Sequence, residues 1–318
     1  MIDKVKPYID LTLRTARSFW NNYSSEPIAT IYMLHRVRRF NSENLKNFED
    51  MNIDPNILRT KIAKLINDGN VFVSMDDLLN ILARNEKLLN PGKQYIVLSV
   101  DDGYLETYST LWPILKEFNI PFIFYVSSSF PNNEIGLWWN YLNEIVCNYT
   151  EFRVLDKNYS LNSIEKKTKF YVEFSKKLLR AGQNVEFEFE NLFNIEYLNL
   201  VSLYKQELIN WDQVVEMSHC DLCTIGSHTD KHFGMRFGHP NEIIADIHRN
   251  VNEIKAYTGK TPIHFAYPFG TYYSVGSREF KLVRKFGFKS AVNTFDDSIF
   301  KVDRTNLFAL PRIVLNND

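Results

Sequence analysis

Tyr95-Ile-Val-Leu-Ser-Val-Asp-Asp-Gly-Tyr104 is an apolar, β-branched run that stops on two carboxylates and a glycine. An almost continuous apolar strand suits a sheet covered on both faces, as parallel sheets are. Two adjacent carboxylates at the end of a buried strand cost free energy unless they are used. A division of labour resolves this: one carboxylate binds a cation and the other stays ionised beside it as a base. Gly103 is expected to permit a sharp turn and close approach of a substrate.

Working outward, similar short runs occupy residues 28–34, 71–73, 121–126, 222–226, 263–267 and 288–292. With 95–100 they make about seven strands. Helical patterns separate most of them, which is the rhythm of parallel βα units. Residues 54–68 carry Ile57, Ile62, Leu65 and Ile66 on one face, with Gly69 as the stop. Residues 75–84 form a second helix capped by Ser74 or Asp76, and a third runs from 102 to 118. Residues 131–210 break the rhythm. They are charged, mostly helical and contain Trp138 and Trp139. They read as an insertion in the barrel of residues 28–318, placed over the active-site face.

Composition narrows the function classes. Among 318 residues, 37 Lys and Arg balance 38 Asp and Glu, which argues against a nucleic-acid binder. Three cysteines, Cys147, Cys220 and Cys223, do not make a disulfide framework, and the single CxxC lacks a second half for a zinc site. The first residues lack the apolar core of a secretory signal, and no apolar run is long enough to span a membrane, so a cytoplasmic location is expected. Within an N-terminal extension, 1–27, residues 9–20 read as an amphipathic helix. Such a helix packs on the barrel or lies on the inner face of a membrane as a peripheral contact.

In parallel α/β barrels the working residues lie at the C-terminal ends of strands. Here the first run ends in His35, the third in Asp101 and Asp102, the fifth in Ser227-His-Thr-Asp-Lys-His232 and the sixth in Pro268-Phe-Gly270. His228 and His232 are four apart, which on one helical turn puts both rings on one side. Two imidazoles and a carboxylate form a common divalent-metal site with positions left open. Asp296-Asp297 lacks the long strand and the glycine, and reads as a loop. His219 and His239 fall in loops, His248 on a helix and His264 inside a strand, where structural roles are expected.

These motifs resemble the polysaccharide deacetylases, the NodB-homology group of carbohydrate esterases. Leu98-Ser-Val-Asp-Asp-Gly-Tyr104 resembles their first motif, T/S-F-D-D-G, and Gly226-Ser-His-Thr-Asp-Lys-His232 resembles the second, H-S/T-x-x-H. Phe265-Ala-Tyr-Pro-Phe-Gly270, Met33-Leu-His-Arg-Val37 and Pro311-Arg-Ile-Val314 resemble segments of a branch with M-Y-H-R-V and YPFG motifs. The resemblance implies an α/β fold, a distorted (β/α)7 barrel, acting as a sugar N-deacetylase on an N-acetylated glycan. It implies Asp101 as general base and Asp102, His228 and His232 as ligands of a divalent metal, usually Zn2+, with Co2+ or Ni2+ as alternatives. It further implies the backbone N–H of Tyr104 as an oxyanion donor and His35 as general acid. The chain departs from the family at Ala266, where many members carry an arginine that orients the base, and Arg312 is the candidate substitute. No histidine follows His264, which moves the acid role to His35. Trp138, Trp139, Tyr267, Phe269 and Tyr272 are candidates for a sugar-stacking wall.

Rival readings are a metal amidohydrolase acting on a small cyclic amide, a non-catalytic glycan-binding protein, and a glycosyltransferase using the Asp pair. The complete Asp101, Asp102, His228, His232 set counts against the second, and the His228/His232 pair and the lack of a Rossmann-type opening count against the third.

Overall fold

The computed structural model describes residues 27–84, 92–300, 303 and 306–317. The expected helix at 9–20 lies outside the described residues. The strands are β1 (Ala29–Leu34), β2 (Arg36–Val37), β3 (Asn52–Ile53), β4 (Val71–Phe72), β5 (Tyr95–Asp102), β6 (Phe122–Val126), β7 (Glu151–Val154), β8 (Lys157–Ser160), β9 (Cys223–Ser227), β10 (His264–Ala266), β11 (Ser290–Val292) and β12 (Ile313–Val314). Eight of them form one parallel sheet in the order β11-β10-β9-β6-β5-β1-β12, with β4 paired to the start of β5. The seven expected strands are all present, and β12 is an eighth that the sequence pattern did not announce. It is two residues long, too short for periodicity to register.

Strand parity sorts the side chains of the sheet into two layers. Ile96, Leu98 and Val100 of β5 join Phe122, Phe124 and Val126 of β6 against Leu111, Leu115, Val214 and Met217 on the helical side. Val97 faces the other way and packs with Ile31, Ile123, Tyr125, Ala266, Val292 and Leu310 inside the curled sheet. Residues flanking β12 tie the two ends of the sheet together: before it the Leu310 N–H donates to Ala291 O of β11, and after it the Leu315 N–H donates to Met33 O of β1. The result is a distorted α/β barrel.

Local signals explain the helix limits. Asp54 caps the helix Pro55–Asn67 by accepting the Asn56 N–H, with Pro55 at the first position. That helix buries Leu58 and Ile62, whereas Ile66, expected on the inner face, is exposed. Ser74 rather than Asp76 caps Met75–Arg84: its Oγ accepts the Asp77 N–H at 3.1 Å and the Asp77 carboxylate accepts the Ser74 N–H at 3.3 Å. This reciprocal pair leaves Asp76 free to accept from Lys289.

The 131–210 segment contains the helices Trp138–Asn148, Ile164–Arg180, Val185–Phe193 and Tyr197–Tyr204, together with an unforeseen β7–β8 hairpin. Phe170, Phe174, Leu178, Phe189, Leu142 and Leu200 give it an apolar core of its own, which is continuous with Tyr104 and Phe130 of the barrel. Among the described residues no helix is long and apolar enough to cross a membrane.

Candidate active site

Parity on β5 carries Asp101 to the same side as Val97 and Ser99, into the barrel. There it meets Arg312. The guanidinium donates from Nη1 to Asp101 Oδ1 at 2.7 Å and from Nη2 to Oδ2 at 2.6 Å, a bidentate pair. Arg312 also donates to Asn293 O at 3.1 Å and to Ser99 Oγ at 3.1 Å, so each of its nitrogens is engaged although it is buried. Burial by itself would raise the Asp101 carboxyl, but Arg312 overcomes this and holds it below the usual carboxylate range. The arginine therefore arrives from the segment before β12, with β1 between that strand and β5, while Ala266 gives its carbonyl to a different task.

Asp102 ends β5 with φ at 80°, in the left-handed region. This turns its side chain off the strand's alternation and towards the loop after β9. The positive φ falls on Asp102 and not on Gly103, which corrects the expected reason for the glycine. A Cβ at Gly103 would lie 2.5 Å from Phe130 Cβ, so the glycine is required by packing.

His228 and His232 do converge, but not on a helical turn. The loop after β9 contains two left-handed residues, Thr229 at 66° and His232 at 48°, and no helix. These kinks replace the helical geometry assumed from the spacing. His228 Nδ1 lies 2.8 Å from Ala266 O, which directs Nε2 towards Asp102. The two Nε2 atoms stand 3.4 Å and 3.0 Å from Asp102 Oδ1. One ligand atom from each of these three buried residues can be chosen so that all lie within 4.8 Å of one another. Asp102 Oδ1 is buried with no hydrogen-bond partner. Burial would raise this carboxyl, and His232 and His228 instead hold it well below its ordinary value.

A cavity of about 500 Å³ opens over this group. Asp101, Asp102, His232, His35, Tyr104 and Phe269 line it from the barrel, and Trp138, Trp139, Tyr171 and Leu179 line it from the 131–210 segment. His35 follows β1 directly, and its Nδ1 is buried without a partner. Burial pushes the His35 imidazolium down, and Asp102 and Asp101 offset only part of this. Trp138 and Phe269 stack with centroids 6.0 Å apart at 28°, while Trp139 donates its indole N–H to the Tyr104 hydroxyl at 2.7 Å.

Two aromatic candidates lie elsewhere. Tyr267 is buried between Phe265 and Phe280 with its hydroxyl donating to Phe308 O, and it has no face on the cavity. Parity explains this: it continues the β10 alternation onto the side of Phe265. Tyr272 stacks on Phe295 at 3.6 Å, also away from the cavity. Asp296 and Asp297 lie in a loop, as expected.

Other residues at the site escaped the sequence reading. Arg36 lines the cavity wall, pairs with Glu106 and Glu207, and covers the Tyr104 ring at 4.3 Å. Asp246 and Asn250, on the helix Pro240–Thr258, brace the histidine loop. The available signal was two polar residues four apart on the helix's inner face, beside Ile243, Ile247 and Ile254.

A buried Asp-His-His set open to a cavity, beside a second carboxylate fixed by arginine, has the groups that metal-assisted hydrolysis requires. The chain belongs to the polysaccharide deacetylase family, whose sequence profile it matches over residues 89–291, and it is a sugar N-deacetylase by that membership. No curated protein matches the sequence. Among solved structures it resembles the deacetylase PplD of Streptococcus pyogenes in complex with acetate, at 15% identity and a TM-score of 0.59 over 92% of this chain and 95% of that one. It also resembles IcaB from Ammonifex degensii, at 17% identity and 0.57 over 92% and 93%. A de-N-acetylase from Aggregatibacter actinomycetemcomitans follows at 16% identity and 0.55 over 91% and 95%. These likenesses show the fold.

Proposed function

We propose that the protein is a metal-dependent hydrolase removing N-acetyl groups from an amino sugar in a polysaccharide, an oligosaccharide or a lipid-linked glycan precursor. One observation carries the reading: a buried carboxylate oxygen without a partner, faced by two imidazole nitrogens, at the wall of a cavity that also holds a second carboxylate. Asp102, His228 and His232 would hold the ion. Two nitrogens and one oxygen suit Zn2+, and Co2+ or Ni2+ accept the same donors. When bound, the ion would polarise the acetamide carbonyl and lower the pKa of water beside it.

The chain's own groups complete the reaction. Asp101, kept ionised by Arg312, takes the proton of the attacking water. The backbone N–H of Tyr104 donates to the developing oxyanion. His35 faces the cavity and hands a proton to the leaving amine, a step worth roughly 10²–10⁴-fold. Trp138, Trp139 and Phe269 offer ring faces to the sugar. Segment 131–210 acts as the insertion that walls the site, and the extension 1–27 is the proposed peripheral contact with the inner face of a membrane. The reaction would then serve glycan assembly on the cytoplasmic side.

Acetate release measured on lipid-linked, nucleotide-linked and polymeric N-acetyl sugars, with and without chelator, tests this. Release abolished by chelator and restored by Zn2+ is expected. Chelator-insensitive release would overturn the metal's role. Turnover of small cyclic amides with no acetate from any sugar would overturn deacetylation, and activity on finished polymer alone would overturn the cytoplasmic placement.

A further inference from the structure

We infer that Asp246 is a positioning residue that sets the geometry of the two imidazoles by clamping the loop between them. The inference rests on the metal-site reading above and extends it to a side chain that does not touch the cavity.

The loop between His228 and His232 does not hold its shape by itself. Thr229 and His232 both sit at positive φ, and a non-glycine residue there costs about 1–2 kcal/mol. No helix or sheet ladder covers Asp230 and Lys231. Their N–H groups instead both donate to one carboxylate: Asp230 N to Asp246 Oδ1 at 2.8 Å and Lys231 N to Asp246 Oδ2 at 3.1 Å. The two donors lie midway between the histidines. With both oxygens taken, the carboxylate fixes two consecutive peptide planes, and with them the directions in which the chain leaves towards each ring.

The same helix supplies the rest of the brace. One turn on, Asn250 accepts from Ser227 Oγ at 2.6 Å and donates to Val126 O at 3.0 Å and to Ser128 Oγ at 3.2 Å. Ser128 Oγ donates to the Asp230 carboxylate at 2.7 Å, and Ser127 Oγ to His228 O at 2.7 Å. Asp230 and Asp246 are both buried, with Arg249 3.2 Å from Asp230. Two close buried carboxylates are an expensive way to hold a loop whose only duty is to close a barrel. The arrangement is accounted for if the loop must present two nitrogens to one point. Other groups that orient metal-binding histidines typically contribute 10–100-fold in metal affinity.

The test is titration of the metal-stripped protein with Co2+, followed by its visible spectrum. Asp246→Asn keeps the size of the side chain but turns an NH2 against one of the two N–H donors. It is expected to weaken Co2+ binding by about 10–100-fold and alter the spectrum, and to lower kcat with KM for the sugar little changed. Adding Thr229→Gly, which relieves one left-handed residue, is expected to recover part of the affinity. A folded Asp246→Asn protein with wild-type Co2+ affinity and spectrum would overturn the inference. Should Asp246→Asn fail to fold, Asp246→Glu retains the charge and displaces it by one methylene, and unchanged Co2+ affinity in that variant would overturn it equally. If the wild-type protein itself takes up no Co2+, the metal-site reading fails first.

Discussion

Replacing Arg312 with Met should convert the base at Asp101 from an ionised, held carboxylate into a buried charge with no counter-ion. Arg312 makes two charge-assisted bonds to Asp101 and one each to Asn293 O and Ser99 Oγ. Breaking one side of a buried pair costs about 3–5 kcal/mol. In an Asp101→Asn background the charge left without a partner is the arginine's own. Removing it there forfeits only the bonds to Asn293 and Ser99, about 1 kcal/mol each, and eliminates an unpaired cation. The coupling between the two sites should therefore reach about 1–3 kcal/mol, read from urea unfolding of the four proteins of a double-mutant cycle. Acetate release supplies a second readout. Arg312→Lys keeps the charge but not the two parallel bonds, and a tenfold to hundredfold loss is expected, about 1.4–2.8 kcal/mol. Equal costs of Arg312→Met in both backgrounds, with undiminished turnover in Arg312→Lys, would refute the argument that this pair governs the base.

Three further outcomes follow from the geometry. His35→Ala should lower acetate release by roughly 10²–10⁴-fold without changing metal content, and an unchanged rate would reject its acid role. Gly103→Ala should lose about 1–3 kcal/mol in thermal unfolding, because the new methyl meets Phe130 Cβ where the core has no slack; a Tm equal to the wild type would show that the strand end yields. His264 is buried against Ser290 and Asp76, and burial pushes its imidazolium down to about 4 from the ordinary 6.5. The unfolded chain then binds the proton more tightly, so stability should fall as pH drops from about 6.5 to 4, by about 3 kcal/mol in all. His264→Gln should flatten that slope in urea midpoints, and an identical pH dependence in the variant would discount the residue.

Much of this molecule could be read from residue types, and the reasons are local. The β5 run is apolar on both faces because the sheet is covered on both faces, so its strand character and its polar end were plain. The four residues Asp101, Asp102, His228 and His232 were legible because strand ends collect the working groups of such barrels. The route by which His228 and His232 meet was not. Spacing of four is ambiguous between a helical turn and a kinked loop, and positive φ at Thr229 and His232 leaves no trace in residues that rarely adopt it. Tyr267 was misjudged because a tyrosine next to a motif looks the same whether its ring faces the cavity or the helices behind. Asp246 and Arg36 were missed for a different reason. Each acts through partners outside its own element, and helix period places Asp246 on an inner face without saying what it meets there.

The segment that brings in Arg312 also links β11, through Leu310, to β1, through Leu315. Closure of the sheet and charge-pairing of the base thus depend on one segment. A molecule whose closing segment has yet to dock has an open seam and an unmatched carboxylate at Asp101, and it should be silent rather than weakly active. Turnover would thus gauge whether this segment is docked.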